Sequence, residues 1–208
     1  MDIKIVKDEL QHIIQGKSNS GERTLIQTIT SYLGASQNTS QVVENDKHHK
    51  QEETKKLIEY CEINNLFQNN KIDINSFISE GAEQKVYIKN DKFVYKLNDG
   101  IYYSTWYDYF INLQLNNYFF SETSYKLVGF CVFSNVLFAL VEQPFVKANE
   151  PTNLEHVKQF LLSNGFENTR NHDYYNGDLK IILEDLHDEN VLTQNGILYF
   201  IDTVFYIK

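Results

Sequence analysis

Three oxygen-bearing side chains, Asp185, Asn190 and Asp202, flank a two-residue turn signal. Asn195-Gly196 separates the apolar runs Val191–Thr193 and Ile197–Ile201, the pattern of a tight hairpin. Such a turn folds Asn190 and Asp202 back to within about one residue of each other across the strand pair. Two oxygen ligands at the open end of a rigid hairpin suit a hard cation such as magnesium, which takes one or two protein oxygens together with substrate phosphates. Asp185, five residues before Asn190 on the loop leading in, could receive a proton from an attacking hydroxyl. The chemistry these residue types allow is metal-assisted phosphoryl transfer. A surface hairpin with acidic ends would carry the same residues, so the upstream half of the chain must supply the rest.

From Ile74 the periodicity is that of strands. Phe77–Glu80 leads into Gly81-Ala82-Glu83-Gln84-Lys85-Val86-Tyr87, and Phe93–Leu97 follows an Asn90-Asp91 turn and carries Lys96. Tyr102–Phe120 is an aromatic-rich helix whose one internal acid is Asp108. Tyr125–Phe133 and Val136–Val141 form a hairpin about Ser134-Asn135, its second strand apolar throughout and so buried. Glu142-Gln143-Pro144-Phe145 fits a strand exit, since Pro144 would end the strand pairing there. Leu154–Asn164 reads as an amphipathic helix closed by Gly165, and Phe166–Lys180 as polar loop with a turn at Tyr174–Gly177.

Asp185-Leu-His-Asp-Glu-Asn190 with Asp202 downstream resembles the protein-kinase-like superfamily, where a catalytic-loop Asp precedes a metal-binding Asn by five residues and a second metal-binding Asp closes the next hairpin. The loop looks more like the Asp-x-His-x-x-Asn form of aminoglycoside and choline phosphotransferases than the His-Arg-Asp form. Leu183 stands where that first His would be, and Asp202-Thr-Val replaces Asp-Phe-Gly. Over residues 77–208 the chain resembles the serine/threonine/tyrosine kinase-like domain found in polyvalent proteins of bacteria, phages and mobile elements.

The resemblance implies ATP with Mg2+ (or Mn2+) as cofactors and a hydroxyl acceptor. By it, Asp185 and Lys96 are catalytic, with Lys96 on the α/β-phosphates, and Asn190 and Asp202 bind the metal. Gly81, Ala82, Glu83, Gln84, Val86, Lys96, Glu142 and Gln143 would line the ATP site, with Asp108 the candidate partner of Lys96 and Glu83 its rival. His187 would steady the catalytic loop. The implied fold is α+β: a reduced protein-kinase-like fold with a five-stranded antiparallel small lobe, a truncated large lobe and an N-terminal helical appendage. The expected divisions are 1–73 for the appendage, 74–146 for the small lobe and hinge, and 147–208 for the large lobe with catalytic loop and metal hairpin. The acceptor is expected to be a protein, contacted through a partner or through the N-terminal helices. A pseudokinase acting as a nucleotide-binding module, or a small-molecule phosphotransferase of aminoglycoside-kinase type, fits the same motifs.

Composition narrows the remaining classes. A formal net charge of −9 and a pI near 5.1 argue against a nucleic-acid surface, which needs a basic patch. No apolar stretch is long enough to suggest a membrane span, and Met1-Asp2-Ile3-Lys4 lacks a signal region, so a cytoplasmic location is expected. Cys61 and Cys131 lie in apolar contexts without metal spacing and read as buried thiols. Within 1–73, Glu22–Leu33 and about Glu44–Phe67 read as helices, with the polar stretch 36–41 between them. Gly16-Lys17-Ser18 ends like a phosphate-binding loop, but Gln11 occupies the place of its first glycine, so a turn is expected. His48-His49 lies on a charged helix start and reads as a solvated face.

Overall fold

Residues 136–141 are apolar on both faces and call for a sheet covered on two sides, and a computed structural model shows one. It describes residues 3–14, 23–37, 46–81 and 83–208; Gly16-Lys17-Ser18, residues 38–41 and Ala82 lie outside these. Contacts divide the chain into two units, His12–Gln114 with Tyr125–Phe145, and Met1–Gln11 with Leu115–Ser124 and Val146–Lys208. Helix α1 (Ile3–Ile14) begins the chain. Among the described residues no helix is long and apolar enough to cross a membrane.

The first unit holds helices α2 (Leu25–Gln37) and α3 (Asp46–Asn64) and strands β1 (Phe77–Glu80), β2 (Gln84–Ile88), β3 (Phe93–Asn98), β4 (Lys126–Phe133) and β5 (Val136–Pro144). The strands form one antiparallel sheet in the order β1-β2-β3-β5-β4, the five-stranded arrangement expected. Helix α4 (Trp106–Phe119) runs from between β3 and β4 in sequence. One sheet face, through Leu127, Phe130, Leu137, Ala139 and Val141, shares a core with Ile26, Ile29 and Leu33 of α2, Leu57 and Cys61 of α3, and Trp106, Tyr109, Phe110 and Leu113 of α4. The opposite face gathers Tyr87, Tyr95, Leu97, Cys131 and Leu140. The apolar stripes of α2 and α3, drawn from the 1–73 stretch, are thus buried on this sheet. His48 and His49 are exposed on α3.

A bulge between Leu127 and Gly129 shifts the phase of β4, which is why Leu127 and Phe130, three apart, share a face. Asn65, at φ 55°, ends α3, and its successor Leu66 donates back to the Cys61 carbonyl (2.9 Å). That turn lays Leu66–Asn69 along the outer edge of β4. Phe130 N donates to Leu66 O (2.9 Å), Gln68 N to Phe130 O (2.7 Å), and Asn69 Nδ2 to Val132 O (2.7 Å). An edge strand that could template association is thereby covered.

The second unit contains α5 (Leu154–Ser163), β6 (Glu167–Arg170), β7 (Asp173–Asn176), β8 (Ile181–Glu184), β9 (Val191–Gln194), β10 (Ile197–Phe200) and β11 (Val204–Ile207). Strands β11-β8-β7-β6 make a four-stranded sheet, and β9 and β10 a two-stranded one. Residues 166–180 are therefore not the loop expected. They hold a strand pair, with the reversal at Asn171 (φ 47°) rather than at Tyr174–Gly177. Strand β6 is exposed on both faces, so it carries no alternation to read. Helix α5 ends as expected: Gly165 (φ 80°) and Phe166 donate to Leu162 O and Leu161 O (3.0 Å each).

Candidate active site

Strand β8 ends at Glu184, and the chain then turns on Asp185, which has φ 67°. That left-handed conformation costs a residue bearing a Cβ about 1–2 kcal/mol and is least foreign to Asn, Asp and Gly. Four hydrogen bonds hold it. Asp185 N donates to Asp173 Oδ1 (3.3 Å), and Leu186, whose side chain is buried, donates from N to His172 O (3.2 Å). Asn190 reaches back with Nδ2 to the Asp185 carbonyl (2.9 Å) and to its Oδ2 (2.8 Å). His187 braces the same carboxylate. Its Nδ1 accepts from Glu189 N (3.2 Å), which puts the proton of the neutral ring on Nε2, 3.2 Å from Asp185 Oδ1. Glu184, beside the loop, titrates above its ordinary value because of burial first and the carboxylates of Asp173 and Asp185 second.

The hairpin forms as the sequence indicates. Asn195 (φ 52°) and Gly196 (φ 75°) take the two positive-φ positions of a primed turn, and β9 pairs β10 from Gln194↔Ile197 to Val191↔Phe200. One further bond, Ile201 N to Asn190 O (2.9 Å), closes the open end and sets Asp202 one residue past Asn190's partner. Thr203 is buried.

Asn190 also fits a cation. Nδ2 faces two oxygens of Asp185 at 2.9 and 2.8 Å and lies farther, 3.2 Å, from His187 Nε2; the two closer oxygens decide the amide, so Oδ1 is the atom turned away. Among the described residues Oδ1 accepts no hydrogen bond. No group of three or more His, Cys, Asp or Glu could hold a metal among those residues. An ion would rest on the Asn190 and Asp202 oxygens and complete its shell with water or phosphate, the preference of magnesium.

A family model described as Serine/Threonine/Tyrosine Kinase found in polyvalent proteins matches residues 50–208. The chain belongs to this kinase family. Comparisons with curated proteins and with solved structures returned no match.

The residues expected to line the ATP site lie in the first unit. Register puts Gln84 opposite Asn98, Val86 opposite Lys96, Lys96 opposite Val141 and Val94 opposite Gln143, so Gln84, Val86, Lys96 and Gln143 point to one face of the sheet. Lys96 is 4 % exposed on β3, its Nζ 5.4 Å from the Tyr125 ring centre. Glu142 opposes Tyr95 on the other face, where its carboxylate pairs with Lys89. Only its backbone is therefore placed for a ligand on the Lys96 side. The β4 ladder stops at Glu142 while the β3 ladder continues to Pro144, with Phe145 N donating to Lys92 O (2.8 Å). Pro144 thus does not end the pairing. Gly81 N donates to Gln84 O (3.0 Å), and a Cβ at Gly81 would meet no protein atom within 4 Å.

Asp108 serves elsewhere than expected. Its Oδ2 accepts from Thr105 N (3.1 Å) and Thr105 Oγ1 (2.7 Å), while its own N donates to Thr105 Oγ1 (3.0 Å). This is a capping box at the start of α4, not a partner for Lys96. Asp108→Ala should therefore cost about 1 kcal/mol of stability. Any shift of the thermal melt on adding ATP should equal that of wild type; its selective loss would restore a role beside Lys96.

Two groups escaped the sequence reading. Buried Glu53 of α3 accepts from Trp106 N (2.6 Å) and Tyr107 N (3.4 Å), satisfying orphan donors of α4, and Lys50 donates to the Gly100 and Tyr103 carbonyls. Burial lowers the pKa of Lys50, opposed by Asp99 and Glu53. The second group, Asn149, Glu150 and Thr152, grips the β9–β10 hairpin.

Proposed function

We propose that this kinase-family member transfers the γ-phosphate of ATP, with magnesium or manganese, to a hydroxyl acceptor, a protein side chain. The observation that carries this is the clamp in which Asn190 holds Asp185 with its amide nitrogen while turning its amide oxygen outward. One short loop thereby presents a carboxylate and a hard oxygen donor in fixed relation. Phosphoryl transfer asks chiefly for such positioning and for charge neutralisation.

In this reading the acceptor hydroxyl approaches Asp185. Asp185 Oδ2 accepts from Asn190 Nδ2 while Oδ1 lies 3.2 Å from His187 Nε2, and the carboxylate keeps lone pairs for the acceptor proton. The acceptor oxygen bonds to the γ-phosphorus, the bond to the β-bridging oxygen breaks, ADP departs, and the proton passes to Asp185. Asn190 and Asp202 hold the metal, which supplies positive charge to the phosphates. Lys96 contacts the α/β-phosphates and the Gly81–Gln84 backbone covers them, since the open space at Gly81 leaves that backbone approachable. The adenine edge meets the backbone of Glu142 and Gln143.

A second reading rests on Thr203 and Val204, which stand where the kinase pattern has Phe and Gly after the metal-binding Asp; it is a nucleotide-binding module that does not transfer phosphate. Small hydroxyl-bearing metabolites are the other acceptor class, on the strength of the Asp185-x-His187-x-x-Asn190 loop. Phosphate turnover from γ-labelled ATP with each metal separates these. Asp202→Asn is expected to abolish turnover that the wild type shows. Undiminished turnover would remove Asp202 from the site, and ATP-dependent stabilisation without turnover would establish the binding module.

A further inference from the structure

A two-stranded ribbon with strands of four residues has little stability of its own. Yet β9–β10 must hold Asn190 and Asp202 steady, because Asn190 immediately precedes β9 and Asp202 follows Ile201, the residue bonded to the Asn190 carbonyl. The segment 149–152 supplies what the ribbon lacks. Asn149 and Asn195 bond reciprocally, Nδ2 of Asn149 to Oδ1 of Asn195 (2.7 Å) and N of Asn195 to Oδ1 of Asn149 (3.0 Å). Asn149 N adds a bond to Thr193 O (3.2 Å), and Glu150 Oε1 accepts from Gly196 N (2.6 Å). Thr152 Oγ1 donates to Val191 O (2.7 Å) and lies 2.9 Å from Thr193 Oγ1.

We propose that Asn149, Glu150 and Thr152 are positioning residues that set the metal affinity of this site by fixing the hairpin that carries both oxygen ligands. The inference rests on the phosphotransfer reading above. The strap grips the turn at one end and Val191 at the other, so the hairpin is held along its whole length rather than at a pivot. Tilting it would move the oxygens of Asn190 and Asp202 together, away from the Asp185 loop or toward it. Magnesium demands near-ideal octahedral geometry, so a small displacement of its protein ligands weakens binding. Partners that orient ligands from outside the first coordination sphere are typically worth about 10–100-fold in metal affinity.

The test uses the full chain as wild type, Asn149→Ala, Thr152→Val, Thr152→Ser and Asp202→Asn. Turnover is titrated with Mg2+ at saturating ATP, and Mn2+ binding in the presence of ADP is followed by electron paramagnetic resonance. Asn149→Ala and Thr152→Val are expected to raise the half-saturating metal concentration about 10–100-fold. Their kcat at saturating metal should stay at the wild-type level. Thr152→Ser retains the hydroxyl and should restore wild-type metal dependence, whereas a merely structural strap would lower the melting temperature and leave half-saturation unmoved. Wild type that binds Mn2+ while both variants keep its half-saturation overturns the strap alone. Wild type that neither binds Mn2+ with ADP nor turns over ATP overturns the phosphotransfer reading and the strap with it.

Discussion

Asp185→Asn is expected to lower γ-phosphate transfer about 10²–10⁴-fold at saturating ATP and metal, the span characteristic of a lost general base. The protein should melt within a degree or so of wild type, because surface substitutions away from buried features change stability by no more than about 0.5 kcal/mol. Asparagine is the informative replacement for a backbone reason. Position 185 sits at φ 67°, and asparagine tolerates the left-handed region better than other side chains bearing a Cβ. Its carbonyl oxygen can still accept from Asn190, and the backbone N–H still meets Asp173. What it cannot do is take a proton. Alanine would delete the bond to Asn190 and the contact with His187 at a strained position, so lost activity would mix folding with chemistry. The measurement is single-turnover transfer from γ-labelled ATP beside a thermal melt. Transfer at the wild-type rate would place the proton acceptor on another residue.

What the sequence disclosed and what it hid follow from the range of the interactions concerned. The Asn195-Gly196 hairpin was legible because both residues must adopt positive φ and the flanking runs are apolar, all within ten residues. The β4–β5 hairpin was legible because 136–141 is apolar on both faces beside a Ser134-Asn135 turn, while the count of five strands came from the family resemblance. The strap was not, since Asn149 and Glu150 meet the turn from 46 residues away through short polar side chains with no periodicity. Strand β6 escaped for the opposite reason: an exposed edge puts no constraint on which face is apolar. Asp108 was misread although the clue was local. Thr105-x-x-Asp108 has the spacing of a capping box, and a helix N-terminus attracts a carboxylate. The helices α2 and α3 were seen as amphipathic, but periodicity says only that a face must be covered. It was the packing of Ile29, Leu33, Leu57 and Cys61 with Phe110 and Phe130 that identified the cover as the sheet itself.

Gly129→Ala should destabilise the sheet unit by about 3 kcal/mol, from backbone strain of about 1–3 kcal/mol and overpacking of about the same size. For a chain of this length that is a fall in melting temperature of roughly 6–12 °C. Gly129 occupies the β4 bulge at φ 154°, and a Cβ there would lie 2.3 Å from Leu66 O and 2.7 Å from Gln68 Cγ. The glutamine could swing aside, but the carbonyl cannot. Leu66 O accepts from Phe130 N, Leu66 N is held by Cys61 O, and Gln68 N is bonded to Phe130 O. Relief requires Leu66–Asn69 to lift away from β4, breaking those bonds and the Asn69 contacts with Val132 together. Lifting it also uncovers the outer edge of β4, whose unpaired backbone groups can then template association. A concentration-dependent aggregation rate should therefore accompany the lower melting temperature. Gly81→Ala is the matched control, because its Cβ would enter open space and leave the melt unchanged. If Gly129→Ala melted with the wild type and stayed monomeric, the 66–69 segment would have to yield without loss, and its cover of β4 would not be what fixes the end of α3 to the sheet.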